Sequence, residues 1–482
     1  MKLPEFWKTG LAVLVLAGLG SYLWFVERKH EPKREGEREK VSVLAVDKAK
    51  AKQLTLASSG GDTIKIVKEG AAWKVVSPFT APADTSAVES MLTSLEKLEA
   101  DEVVTDKPGD LAQYGLATPS RTVSALVEGA KDPLAVQFGA KSPDGSSVYA
   151  KTPSGPKVYL VASWVEGSFD KKPFDLRDRD LLHAKRDDVR QLEVTGPEGS
   201  YALARTDAGE WAFTKPVATR AGRWAVDGLL GTVENLRMES VAEPGAGDPK
   251  QLARFGLDSP VRSISLVMND GSTRALQIGA AAPDPQATPS PSPSPSPAKK
   301  GEKPPAPEKP KPTKYYARPS GGGLVAVIPA TLADDLAKGM GELRAKRLLE
   351  VATYETQGFE AVSNGTKKAY AKTTTKDKDG FDKTQWKRNA PDAKDLDTTK
   401  VEDALFKMGG VEVTEFADQP QALAAYGLDA PVLKVTVKAK ASSWIEVGKK
   451  DGGYFARRNN DSAVLKLDPA KAEELLKAFA EL

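Results

Sequence analysis

Two histidines, His30 and His183, are all the imidazole this chain carries, and it has no cysteine. Imidazole and thiolate are the usual activators of nucleophiles and the usual soft metal ligands. With His30 in the stalk and only His183 at a repeat boundary, no Ser-His-Asp arrangement or HExxH zinc helix is easily assembled in the globular region, and a thiolate metal site lacks its ligands. No P-loop, nucleophile elbow or dinucleotide fingerprint is present. Ser94-x-x-Lys97 has the spacing of penicillin-binding nucleophiles, but the Ser-Asp-Asn companion of those enzymes is absent. Asp377-Lys378-Asp379-Gly380-Phe381-Asp382 offers carboxylates for calcium, yet its glycine and acids fall out of register and no glutamate closes it, so it reads as a hairpin tip. The 66 acidic side chains include enough carboxylates for a two-carboxylate hydrolase but single out no pair. The sequence assigns no catalytic, cofactor-binding or metal-ligating residue.

What does recur is a twelve-residue frame, Pro-x-x-Leu-Ala-x-aromatic-Gly-Leu-x-x-Pro, at Pro108–Pro119, Pro249–Pro260 and Pro420–Pro431. Proline is tolerated in the first turn of a helix, and glycine is favoured just past its end, where φ turns positive. Each copy thus predicts a short helix from its first proline to Tyr114, Phe255 or Tyr426, stopped by Gly115, Gly256 or Gly427. Leu116, Leu257 and Leu428 should then enter a core, and Pro119, Pro260 and Pro431 keep the helix from resuming.

A second marker precedes the frame. Trp73 and Pro78, Trp211 and Pro216, and Trp386 and Pro391 share one Trp-x-x-x-x-Pro spacing. Ten residues after each proline stands Val88, Val226 or Val401, each opening a stretch of helical periodicity. The apolar set is Val88, Met91, Leu92, Leu95 and Leu98, then Val226, Leu229, Leu230, Val233 and Leu236, then Val401, Ala404, Leu405 and Met408. Ser86-x-x-Glu89 and Thr399-x-x-Glu402 have the form of capping boxes, while Trp224 stands at the matching place in the second copy.

Short β-prone runs follow each frame, such as Thr122–Val127, Ser263–Met268 and Leu433–Val437. Phe138-Gly139, Ile278-Gly279 and Val447-Gly448 mark equivalent points in them, as do Tyr149-Ala150, Tyr316-Ala317 and Phe455-Ala456. Related boundary segments, Leu176–Leu182 and Leu343–Leu349, separate the copies. The expected fold is α+β: an N-terminal transmembrane helix and three tandem α+β repeats, each with antiparallel strands backed by helices. The repeats are placed at 41–182, 183–349 and 350–482. An insert at 281–314, rich in Pro and Ser, reads as a polyproline-like surface loop within the second repeat.

Residues 1–26 read as the membrane anchor. Thr9–Val26 carries no charge over 18 residues, Trp7, Tyr22, Trp24 and Phe25 sit towards its two ends, and its aromatic end lacks a small-x-small cleavage pattern. Residues 27–40 form a charged stalk. A net charge of +3 gives no field of the kind nucleic-acid binders use. The expected location is the bacterial inner membrane, single-pass, with the C-terminal region periplasmic.

The anchor, Trp-x-x-x-x-Pro, the amphipathic helix and Leu-Ala-x-Tyr-Gly-Leu-x-x-Pro together resemble the bacterial family named domain of unknown function 4340. The likeness covers nearly all of the chain outside anchor, stalk and insert, with Phe255 replacing tyrosine in the second frame. It implies an envelope protein associated with ABC-type export systems of the kind linked to gliding motility, in a non-enzymatic accessory role with a protein partner in a membrane complex. The alternative is a cell-wall or glycan-directed binding module or hydrolase.

Overall fold

The computed structural model describes residues 40–207, 209–243, 248–284, 311–349, 355–363, 365–376, 378, 381–439 and 442–482. The anchor, nearly all of the stalk, most of the Pro-rich insert, and Asp377, Asp379 and Gly380 lie outside them. Among the described residues no helix is long and apolar enough to cross a membrane.

Three sheets of nine strands dominate, and their strand order is the same. In the first, Ala81–Pro82, Ala72–Ser77, Ile64–Glu69 and Ala51–Ser58 run inward from one edge as a meander. Arg121–Val127, Leu134–Lys141, Ser147–Lys151 and Val158–Ala162 then continue outward, and Glu102–Thr105 closes the far edge. Every pairing is antiparallel. The helix Thr85–Glu96 and the segment behind it carry the chain from one edge of the sheet to the other. The frame sits at the turn where the chain re-enters the sheet centre.

Alternation explains which face is covered. Arg121–Val127 buries Val123 and Ala125 while Thr122 and Ser124 stay half-buried, and Leu433–Lys438 buries Leu433, Val435 and Val437 in the same way. Val88, Met91, Leu92 and Leu95 are buried in the first helix, Val226, Leu229, Leu230 and Val233 in Arg223–Glu234, and Val401, Ala404, Leu405 and Met408 in Thr398–Gly410. The 3.6-residue stripe thus packs against the sheet's period-2 face.

The helix starts differ from the expected capping boxes. The N-caps are Asp84, whose carboxylate accepts from the Ala87 N–H, and Asp397, which accepts from the Thr399 N–H. Glu89 is engaged elsewhere, accepting from the Trp73 indole at 3.1 Å. The second helix begins at Gly222 without a side-chain cap. Asp84→Ala should therefore destabilise the first repeat by about 1 kcal/mol, whereas Ser86→Ala should be near neutral; urea titration of both variants checks this.

The compact units divide the chain after Asp178. The first holds the first sheet, and Arg179–Leu482 holds the second and third.

Candidate functional site

Each frame is a tight helical turn with a double-bonded glycine end. The helical part is a 3-10 turn, Ala112–Tyr114, Pro249–Phe255 and Leu423–Tyr426, so the expected helix starts at its proline only in the second copy. Gly115, Gly256 and Gly427 take φ of +66°, +63° and +65°. Their N–H groups donate to Ala112, Ala253 and Ala424, and the next leucine N–H donates back to Leu111, Leu252 and Leu423 at 3.0 Å. These two bonds define a Schellman end, and they explain why leucine, alanine, glycine and leucine recur at fixed offsets. Leu116, Leu257 and Leu428 are each 3% exposed.

The second recurring glycine faces the first. A Cβ on Gly139 would lie 2.2 Å from the Tyr114 carbonyl oxygen, on Gly279 2.1 Å from that of Phe255, and on Gly448 2.6 Å from that of Tyr426. Conversely, a Cβ on Gly115 or Gly256 would meet the backbone nitrogen of Ala140 or Ala280 at 2.6 and 2.8 Å, and one on Gly427 would meet the Lys449 carbonyl at 2.4 Å. Only glycine on both sides lets the frame close against the strand. The third marker completes the cluster: Tyr114 packs edge-on to Tyr149 at 5.1 Å, Phe255 to Tyr316 at 4.8 Å and Tyr426 to Phe455 at 5.3 Å. Three markers scattered along each repeat thus meet at one corner.

Trp73, Trp211 and Trp386 are buried, and the peptide bonds before Pro78, Pro216 and Pro391 are all cis. Pro119, Pro260 and Pro431 follow the buried leucines at the entry to Arg121–Val127, Arg262–Met268 and Leu433–Lys438. Open grooves of about 520 Å³ flank the first two frames. Pro108, Asp110 and Lys151 line the first, and Arg254, Lys314 and Tyr316 the second. The second groove's cations are engaged, Arg254 with Glu243 at 2.6 Å and Lys314 with Glu239 at 3.1 Å.

The Ser94 hydroxyl donates to the Ser90 carbonyl of its own helix. The His183 carbonyl accepts from Arg274, and its backbone N–H donates to Asp180. Among the described residues, no group of three or more His, Asp or Glu side chains is placed to hold a metal ion.

One polar constellation has no trace in the motif pattern. Arg458, 1% exposed, donates to Asp461 through Nε at 2.9 Å and Nη2 at 2.8 Å, and to the carbonyls of Ala345, Arg347 and Leu348. Arg344 donates to Thr219 and to Asp418, lies over the Phe416 ring, and approaches Asp461 at 3.9 Å. Ser462 donates to the Ala218 carbonyl through both its N–H and its hydroxyl. Burial pulls the Arg458 guanidinium below its ordinary value while the Asp461 carboxylate pushes it back up. The network ties the second sheet, the boundary segment Leu343–Leu349 and the third sheet together.

The family described as "Domain of unknown function (DUF4340)" matches residues 73–219, 211–288, 308–420 and 386–482. No curated protein matches this chain. Among solved structures, a DNA polymerase sliding clamp from Pseudomonas aeruginosa is similar at 8% identity, over 90% of this chain and 93% of that one. Its TM-score of 0.13 is too low to inform the fold.

Proposed function

This chain belongs to the DUF4340 family, and we propose that it is a membrane-anchored, non-enzymatic scaffold or accessory protein of the bacterial envelope, working beside an ABC-type export system. The observation that carries this reading is where the recurring residues are used. The repeated glycines, leucines and tryptophans lock the frame onto its sheet or fill the core, so their recurrence is accounted for by architecture. Recognition is then left to surface positions that differ among the repeats. Trp224 is 76% exposed where the other copies have Ser86 and Thr399. Phe406 is 74% exposed and Trp164 72%. Large aromatics on the surface of a repeat protein suit a partner interface. The uncharged run Thr9–Val26 supplies the tether.

Crosslinking in intact membranes followed by mass spectrometry tests the proposal. A reproducible transport-complex subunit is the expected product, and its yield should fall with Trp224→Ala. Retention of the protein on purified wall polymer, with no membrane partner crosslinked, would replace this reading with the glycan-directed one.

A further inference from the structure

The first two sheets each carry a strap on the edge beside the tryptophan strand. At the first, the Asp84 N–H donates to the Leu176 carbonyl at 3.0 Å and the Asp178 N–H to the Pro82 carbonyl at 2.9 Å, which bridges Ala83 to Arg177. At the second, the Gly222 N–H donates to the Leu343 carbonyl at 2.7 Å and the Ala345 N–H to the Arg220 carbonyl at 3.0 Å, which bridges Ala221 to Arg344. The two straps are the start of the related boundary segments Leu176–Leu182 and Leu343–Leu349, and both place an arginine at the bridge.

Among the described residues, the same edge of the third sheet carries no such strap. Leu396 lies ten residues after Trp386, as Ala83 and Ala221 lie ten after Trp73 and Trp211. Leu396 pairs inward with Trp386, as the N–H groups of Ala83 and Ala221 donate to Trp73 and Trp211. By this register the Asp395 carbonyl and the Asp397 N–H face outward, in the places of Pro82 and Asp84. Among the described residues, no hydrogen bond reaches either group. Lys394–Leu396 is the last strand on its side of the sheet, and both aspartates are exposed. The charges along this rim are mixed: Asp392 and Asp395, 66% and 65% exposed, pair with Arg388 at 2.7 Å and Lys387 at 3.4 Å, and Asp397 caps the following helix. An edge whose outward groups are unpaired is a template for an added strand.

We propose that this edge is a β-augmentation site that takes an extended segment of a partner protein, with an arginine opposite Leu396, in the register of the straps on the first two sheets. The occupant's chemistry is read from the two equivalent edges, each of which sets an arginine at the bridge. The proposal rests on the scaffold reading above.

The probe is an N-acetylated, C-terminally labelled peptide Arg-Ala-Lys-Arg-Leu-Leu, the chain's own Arg344–Leu349, whose acetyl carbonyl replaces that of Leu343. Fluorescence anisotropy against the full chain should show saturable binding. Asp397→Pro removes the outward N–H and is compatible with the native φ of −66°, while Asp397→Ala removes the same cap carboxylate but keeps the N–H. Affinity for Asp397→Pro should be about fivefold to tenfold weaker than for Asp397→Ala, and exchanging the peptide's first arginine for glutamate should weaken binding to the wild type. No saturable binding, or equal affinities of the two variants, would overturn the site. A membrane crosslink to a transport subunit that survives Asp397→Pro would remove this edge and leave the scaffold reading standing. Peptide binding without any such crosslink would do the reverse.

Discussion

Gly279→Ala should open the second repeat locally. The added Cβ would sit 2.1 Å from the Phe255 carbonyl oxygen and 3.0 Å from the Leu257 side chain. The obstacle is backbone held by two hydrogen bonds, so no rotamer change relieves it, and a penalty of ~3 kcal/mol or more follows. Hydrogen exchange of Arg262–Met268, the strand the frame leads into, should accelerate roughly a hundredfold. Gly139→Ala and Gly448→Ala should act alike in their own repeats. Gly256→Val adds a β-branched side chain at positive φ, costing roughly 1 to 3 kcal/mol before contacts are counted. Protection within threefold of wild type in Gly279→Ala would mean that the frame does not close on its sheet as described.

The second large effect lies at the junction of the second and third sheets. Asp461→Ala leaves Arg458 buried with its carboxylate removed, and takes from Arg344 one of its two nearby anions. Breaking a buried pair on one side typically costs about 3 to 5 kcal/mol, because the remaining charge stays desolvated. Replacing both partners, as in Arg458→Met with Asp461→Leu, should recover much of that loss, although the Arg458 bonds to the three boundary carbonyls are given up. Thermal unfolding of the single and double variants distinguishes the cases. A single variant that unfolds within a degree of wild type would show that the network does not couple the repeats.

The two features differ in how far the sequence discloses them. The frame is legible because a Schellman end is local: leucine, alanine, glycine and leucine lie within six consecutive positions, and positive φ selects glycine at one of them. The amphipathic helices and most strands are legible for the same reason, since their periods are written in adjacent residues. The pairing of Gly115 with Gly139 is half-visible, as two co-recurring markers without a stated contact. Arg458 and Asp461 are not legible, because their partners at Ala345–Leu348 lie more than a hundred positions away and the first two repeats have no Arg-x-x-Asp at the same place. The caps mislead by proximity: Asp84 and Asp397 stand two residues before the serine and threonine that fit the box pattern, and Glu89 is drawn to the Trp73 indole. The far-edge strands Glu102–Thr105, Ser240–Val241 and Val413–Ala417 are too short for alternation to mark them.

The claim that the recurring motif is architecture, with recognition elsewhere, is tested most directly by Tyr114→Ala, Phe255→Ala and Tyr426→Ala made one at a time in the full chain. Each variant would be assayed for exchange protection of its own repeat and for membrane crosslinking. The account predicts a comparable loss of protection in all three, from the loss of one edge-on aromatic contact and its buried area, with the partner crosslink retained as long as the chain is folded. A variant that keeps its protection yet loses the crosslink would contradict it, and would make that copy of the frame the binding site.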